Sequence, residues 1–194
     1  MINRELYMEQ ITPFIDKPFV KVITGIRRCG KSVVLRLIRE ELLRRGVSED
    51  YIIYMNFESF EWIDMKEAKA LYAHIREATK ASGKYYILLD EIQEVTDWEK
   101  AVNAFLVDLD VDIYVTGSNS RLLSSEFSTY LAGRYVAFHI MTLSFREYLL
   151  FHDLPLTISV SDRKTEFLKY LRMGGFPAIH TANYDYNAIY KIVL

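Results

Sequence analysis

Residues 25–32 read Gly25-Ile26-Arg27-Arg28-Cys29-Gly30-Lys31-Ser32. The outer letters satisfy the phosphate-loop pattern G-x-x-x-x-G-K-[ST]. Glycines at both ends let the backbone fold tightly, so that successive amides point at one anion, and a following helix would turn its N-terminus to the same charge. Lys31 is then expected to reach β- and γ-phosphates, and Ser32 to ligate Mg²⁺. Gly25, Arg27, Arg28, Cys29, Gly30, Lys31, Ser32 and Val33 form the expected nucleotide-binding stretch.

The pattern needs a strand before it and a helix after it. Phe19-Val20-Lys21-Val22-Ile23-Thr24 is an apolar run that predicts a buried strand ending at the glycine loop. Beyond Lys31, the apolar residues Val34, Leu37, Ile38 and Leu42 recur at helical spacing. Gly46 closes that helix, with Arg44 and Arg45 near its negative end.

The rest of the chain alternates in the same way. Residues 3–14 predict a short helix, Tyr51 to Phe57 a strand, about Met65 to Lys80 a helix, and Tyr85 to Leu89 a second buried strand. Thr96 with Glu99 forms a capping-box pattern, and Trp98, Ala101, Val102, Phe105 and Leu106 mark one face of the helix it would start. Ile113-Tyr114-Val115 predicts a fourth strand, a helix through Tyr130-Leu131 ends at Gly133, and Tyr135 to Ile140 predicts a fifth strand. Strands alternating with helices imply an α/β fold, with a mostly parallel sheet covered on both faces. From Ser144, which opens another capping box with Glu147, the pattern turns helical, with a hinge expected at Gly174-Gly175-Phe176-Pro177. The expected organisation is a core over 1–143 and a helical, lid-like extension over 144–194. Tyr190 to Leu194 is apolar and lacks a helix stop, so the extension is expected to be cut mid-element.

Composition narrows the class. The 194 residues are 51% hydrophobic and 26% charged, which is globular and not disordered. A formal charge of −2 gives no global basic field, so net charge does not argue for nucleic acid as a partner and leaves local patches open. One cysteine excludes an internal disulfide framework and suggests a reducing compartment. The N-terminus lacks an apolar signal core, and no apolar run approaches the ~20 residues of a membrane helix. These features read as a cytoplasmic chain with no membrane partner.

Two further stretches carry chemistry. Four apolar residues lead to Asp90-Glu91, which places a carboxylate at the C-terminal tip of a buried strand, where α/β sheets bind ligands. Asp90 is expected to hold Mg²⁺ and Glu91 to polarise the attacking water. Thr116-Gly117-Ser118-Asn119 ends the fourth strand with polar side chains suited to sensing the γ-phosphate, Ser118 and Asn119 being favoured. His74, His139, His152 and His180 have no metal-ligand spacing, and Glu58 reads as part of a solvated turn, the alternative being that it faces the loop arginines.

The set of motifs resembles a prokaryotic group of AAA+-like ATPases, related to the STAND ATPases, whose phosphate loop reads G-x-R-R-x-G-K-[ST]. The resemblance rests on that loop, on Tyr54 to Glu58, on Leu89 to Gln93 with Trp98, on Val115 to Asn119, on Gly133-Arg134 before Leu143 to Glu147, and on Gly174 to Pro177. It implies a P-loop core with strand order 5-1-4-3-2, a preference for ATP, a separate C-terminal domain, and no particular substrate. It also implies an arginine finger at Arg134, expected from a neighbouring subunit of a homo-oligomer. Arg172 is the nearby candidate for a lid arginine. Arg27 and Arg28 read as a signature of the group, either clamping acidic side chains or adding charge beside the nucleotide. The clamp is favoured because amides and Lys31 already serve the phosphates. Cys29 reads as a small filler.

Two functions are compatible with the same residues. The leading one is an Mg²⁺-dependent ATPase driving a conformational change; the competing one is an ATP/ADP switch with negligible turnover that signals through a protein partner. A small-molecule kinase is disfavoured by the acidic pair Asp90-Glu91.

Overall fold

The computed structural model describes residues 4–118, 122 and 131–181. They divide into two compact units. One comprises Glu5–Gly25 and residues 31–140; the other comprises Arg4, Ile26–Gly30 and residues 141–181.

The first unit is built on five parallel strands: β1 (Val20–Gly25), β2 (Ile52–Asn56), β3 (Tyr85–Asp90), β4 (Val111–Gly117) and β5 (Tyr135–Ile140). Their order is β2-β3-β4-β1-β5, as the resemblance implied. Burial explains the sequence patterns. β1 and β3 lie inside the sheet and are buried at every position, so they read as near-continuous apolar runs. The edge strand β5 has a more mixed pattern, with exposed Ala137 and His139 beside buried Phe138 and Ile140.

Helices cover this sheet. Helix α1 (Glu5–Ile11) and a 3₁₀ turn at Thr12–Phe14 replace the single helix expected over residues 3–14. Helix α2 (Lys31–Arg44) buries Val34, Leu35, Leu37, Ile38 and Leu42, a stripe worth about 1.5–3 kcal/mol per large side chain, which fixes the helix that begins with Lys31. Gly46 ends it, its N–H donating to Leu43 O, while Val47 N–H reaches Leu42 O. Helices α3 (Ala68–Ala78) and α4 (Trp98–Asp108) pack on each other, and Leu71, Ile75, Trp98, Val102 and Phe105 join Val22, Ile87, Leu89, Ile113 and Val115 in one core.

The Thr96–Glu99 capping box does not form. Thr96 is held instead in a parallel bridge with Glu67, its N–H donating to Lys66 O and its carbonyl accepting from Ala68 N–H. Asp97, with φ of 57°, becomes the residue before α4, without a side-chain cap, and Glu99 is buried. Of the helix expected through Tyr130-Leu131, all but its end lies outside the described residues.

The opposite face of the sheet carries a polar cluster. Lys21 is buried against Asp112, which also accepts from Tyr114 Oη at 2.8 Å and from the Asp16 N–H at 2.9 Å. Burial pushes the Lys21 ammonium below its ordinary value, while Asp112 acts to raise it.

In the second unit the capping box at Ser144 is present. Ser144 Oγ accepts from Glu147 N–H, and Glu147 Oε2 accepts from Ser144 N–H at 2.8 Å, opening helix α5 (Phe145–Phe151). Helix α6 (Val160–Met173) meets α5 through Phe145, Phe167 and Tyr170. Gly174, at φ of 75°, closes α6 in a conformation that costs glycine little, and helix α7 (Pro177–Thr181) follows. Leu143 N–H donates to Gly175 O at 2.7 Å.

Candidate nucleotide site

Parallel registry brings Gly25, Asp90 and Gly117 to the same C-terminal edge of the sheet, since Thr24 pairs with Gly117 and Leu89 with Val115. Asp90 ends β3 on the face opposite the main core and is fully buried. Tyr54 Oη donates to its Oδ2 at 3.0 Å and Thr116 Oγ1 to its Oδ1 at 2.5 Å. Burial pushes the Tyr54 phenol up, and the Asp90 charge and hydrogen bond push it further, so Tyr54 stays a donor.

Glu91 follows in the left-handed region, with φ 54° and ψ 48°. For a residue other than glycine this costs free energy, and such strain gathers where a side chain must be aimed. Its N–H donates to Thr116 Oγ1 at 2.9 Å, so one hydroxyl ties both acidic residues to the tip of β4. Gln93 Nε2 donates to Glu91 Oε2 at 2.5 Å.

Lys31 opens α2 with its ammonium buried, 3.4 Å from Gly25 O and 3.3 Å from Glu91 Oε1. The next two residues, Ser32 and Val33, are half-buried. Lys31, Asp90, Glu91 and Thr116 thus form one cluster of a cation, two carboxylates and a hydroxyl. Sequence reasoning places Thr116 in a strand-end motif without marking it as the residue that links the two carboxylates. Ser118 is half-buried, its carbonyl accepting from Leu122 N–H at 3.1 Å, and Asn119 lies outside the described residues.

The oxygen donors suit Mg²⁺, a hard cation that keeps several waters and takes one or two protein ligands beside phosphate oxygens. Asp90 offers a buried carboxylate held by two neutral hydroxyls. Among the described residues, no group of three or more His, Cys, Asp or Glu side chains could hold a metal ion unaided.

In the second unit, the loop Ile26–Gly30 makes a turn, Cys29 N–H donating to Ile26 O at 3.3 Å, with Arg28 at φ of 66°. Arg27 and Arg28 are exposed. Arg4 also holds this loop. It is buried, and its three donors reach Glu147 Oε1 at 2.5 Å, Cys29 O at 3.0 Å and Met141 O at 2.9 Å. Cys29 is fully buried, as a filler would be.

Arg134 sits at the other edge of the sheet. Its carbonyl accepts from Val20 N–H at 2.8 Å, and Val20 pairs with Tyr135, so Arg134 lies where β1 begins and Lys31 lies past its end. Its exposed guanidinium donates to Asn103 Oδ1 at 3.2 Å.

Comparison with known proteins agrees with this fold. Residues 17–149 match the family described as an AAA domain. The chain is 43% identical over 184 residues to an uncharacterized protein of Haemophilus influenzae, covering 94% of this chain and 46% of that one. It is 35% identical over 184 residues to an uncharacterized protein of Methanocaldococcus jannaschii, covering 92% of this chain and 39% of that one. The chain thus spans less than half the length of these curated relatives. Its fold matches that of AMPPCP-bound DnaA from Aquifex aeolicus with a TM-score of 0.60 at 16% identity, over 100% of this chain and 63% of that one. No helix among the described residues is long and apolar enough to cross a membrane.

Proposed function

The chain belongs to the AAA domain family, and from that premise we propose that it is an Mg²⁺-dependent ATPase whose hydrolysis moves its core (1–143) against its helical extension (144–194). The observation that carries this reading is the meeting of Lys31, Asp90, Glu91 and Thr116 at one edge of the sheet, with Lys31 Nζ 3.3 Å from Glu91 Oε1.

Lys31 exchanges Glu91 for the β- and γ-phosphates, which bind it more strongly because they carry more charge. The amides between Gly25 and Val33, with Arg27, Arg28 and Cys29 in the same stretch, surround the phosphates. Ser32 and Asp90 would hold Mg²⁺, which would supply positive charge against the phosphate oxygens. Glu91, freed from Lys31, takes a proton from water as the water oxygen bonds to the γ-phosphorus. The bond from the γ-phosphorus to the β–γ bridging oxygen breaks, and its electron pair leaves with ADP. Ser118 and Asn119 sense the γ-phosphate, and Arg134 of a neighbouring copy completes the site. The protein works in the cytoplasm, with a protein partner or a further C-terminal domain receiving the movement.

Calorimetry and phosphate release test the proposal. Lys31→Ala is expected to abolish ATP and ADP binding, and Glu91→Gln to keep binding but stop phosphate release. Unchanged affinity in the first variant, or undiminished release in the second, would remove the role assigned to each. A second reading, a nucleotide switch with negligible turnover, is favoured by one observation: Lys31 and Gln93 engage both oxygens of Glu91. Tight binding without phosphate release by the full-length protein would select it.

A further inference from the structure

We propose that Gln93 is a positioning residue for hydrolysis: its side-chain amide holds one oxygen of Glu91 so that the other faces the attacking water. The inference rests on the ATPase reading above.

Two donors reach the Glu91 carboxylate from within its own unit, one on each oxygen. Gln93 Nε2 takes Oε2 at 2.5 Å and Lys31 Nζ approaches Oε1 at 3.3 Å. The Glu91 backbone is fixed by Thr116, but a glutamate side chain has three rotatable bonds beyond it, and a base that wanders by an ångström loses much of its rate. When Lys31 turns to phosphate, Oε1 is released for water. The Gln93 contact on Oε2 remains, and it sets the direction in which Oε1 points.

Gln93 is built to stay. It is the middle residue of a single 3₁₀ turn, Ile92–Glu94, secured by Glu94 N–H to Glu91 O at 3.1 Å and Val95 N–H to Ile92 O at 2.9 Å. Ile92 and Val95 on either side are buried in the main core. The Gln93 amide lies against Gly117, where a Cβ would stand 2.0 Å from its Oε1 and 2.7 Å from Leu122. Any side chain at 117 would push the amide off Glu91, which gives Gly117 a reason beyond ending the strand. The Oε1 atom is buried and has no hydrogen-bond partner among the described residues.

The test is steady-state ATP hydrolysis with Mg²⁺ by the full-length protein. The variants are Gln93→Ala and Gln93→Met, the second keeping the volume without the donor, each made also in the Glu91→Gln background. Gln93→Met is expected to lower kcat about 10- to 100-fold with KM for ATP unchanged, and to leave ATP affinity by calorimetry unchanged in the Glu91→Gln background, where turnover is stopped. The Gln93 side-chain amide signals in nitrogen–proton spectra, identified by their loss in Gln93→Ala, should move in Glu91→Gln and persist with AMPPCP and Mg²⁺. Wild-type turnover with an unchanged kcat in both Gln93 variants would overturn the inference alone. A raised kcat would make Gln93 a restraint, and a raised KM at constant kcat would make it part of the binding site; either overturns it. No turnover in the wild type would overturn the ATPase reading, and this inference with it.

Discussion

Arg4 and Glu147, 143 residues apart in the chain, form a buried ion pair with Nε 2.5 Å from Oε1. The same guanidinium donates to the carbonyls of Cys29 and Met141, so one side chain fixes the loop Ile26–Gly30 and the segment leading into α5. Glu147 in turn caps α5 through Ser144. Removing either partner leaves a buried charge without its counter-charge, a loss of roughly 3–5 kcal/mol. Arg4→Met and Glu147→Met are each expected to lower the denaturation midpoint, and Arg4→Met/Glu147→Met to recover part of the summed loss. Arg4→Lys keeps the charge but not the fork that reaches three acceptors, so ATP affinity should fall in it too. A fully additive double variant, by urea denaturation, would contradict the coupling.

Thr116 couples Asp90 to Glu91. Thr116→Val preserves the shape of the β4 tip but leaves Asp90 Oδ1 without its 2.5 Å donor and Glu91 N–H without its acceptor. Each buried polar group left unpaired costs about 1–3 kcal/mol. Lower stability is therefore expected, together with weaker Mg²⁺-dependent ATP binding and slower phosphate release. Thermal melting and calorimetry with and without Mg²⁺ would check it; equal melting temperatures would remove Thr116 from the site.

The sheet was legible because its logic is local. Strands buried on both faces, such as Ile87-Leu88-Leu89, must be apolar runs, and the phosphate-loop pattern itself demands a strand before it and a helix after it. The candidate cluster was legible where a motif ties chemistry to a strand tip, as at Lys31 and Asp90-Glu91. Arg4 was not, because its partners lie 25, 137 and 143 residues away and nothing near Arg4 in sequence announces them. Gln93 and Thr116 stand in recognisable motifs, yet their roles depend on strand registry that spacing alone does not give. The false capping box at Thr96 has the same origin: a bridge to Glu67 claimed the backbone first.

Cys29 is fully buried between two exposed arginines and Gly30. Reaction of a thiol needs access. Iodoacetamide is therefore expected to label Cys29 slowly in the native protein even without nucleotide, and rapidly in denaturant. Mass spectrometry of timed samples would read this; fast native labelling would show that the loop opens readily.

His180 should make the second unit acid-sensitive. Burial holds its imidazole below the ordinary value of about 6.5, His152 adds to that, and the Gly174 carbonyl opposes both. Its Nε2 lies 2.7 Å from Gly174 O and its Nδ1 3.1 Å from His152 Nε2, so the neutral ring donates at one end and accepts at the other. Because the folded-state value is lowered, its contribution is full above about pH 6.5 and is lost as pH falls through the folded-state value. Melting temperature should drop between pH 7.5 and 5.5, and drop less in His180→Gln. Parallel slopes for the two proteins would assign the loss elsewhere.

Arg134 is expected to act in trans. Val20 pairs with Tyr135 and Gly25 with Ile140, so Arg134 lies beyond one end of β1 and Lys31 beyond the other. Five strand steps separate those pairs, roughly 17 Å at 3.3 Å per residue, well beyond the reach of an arginine side chain. Arg134 therefore cannot serve the Glu91 of its own chain. It is exposed and borders a groove with Lys17, Pro18, Leu106 and Val107, of which Val107 is 68% exposed. An arginine delivered to the site of a second copy stabilises charge developing on the γ-phosphate and is worth about 10³-fold or more in rate. Arg134→Ala should keep ATP affinity and lose most turnover. Mixing it with Glu91→Gln protein should restore activity, because a hybrid interface can pair an intact Glu91 with an intact Arg134. Phosphate release measured across mixing ratios should peak at an intermediate ratio. Full activity in a dilute sample shown by light scattering to be monomeric would exclude a finger supplied by a neighbour.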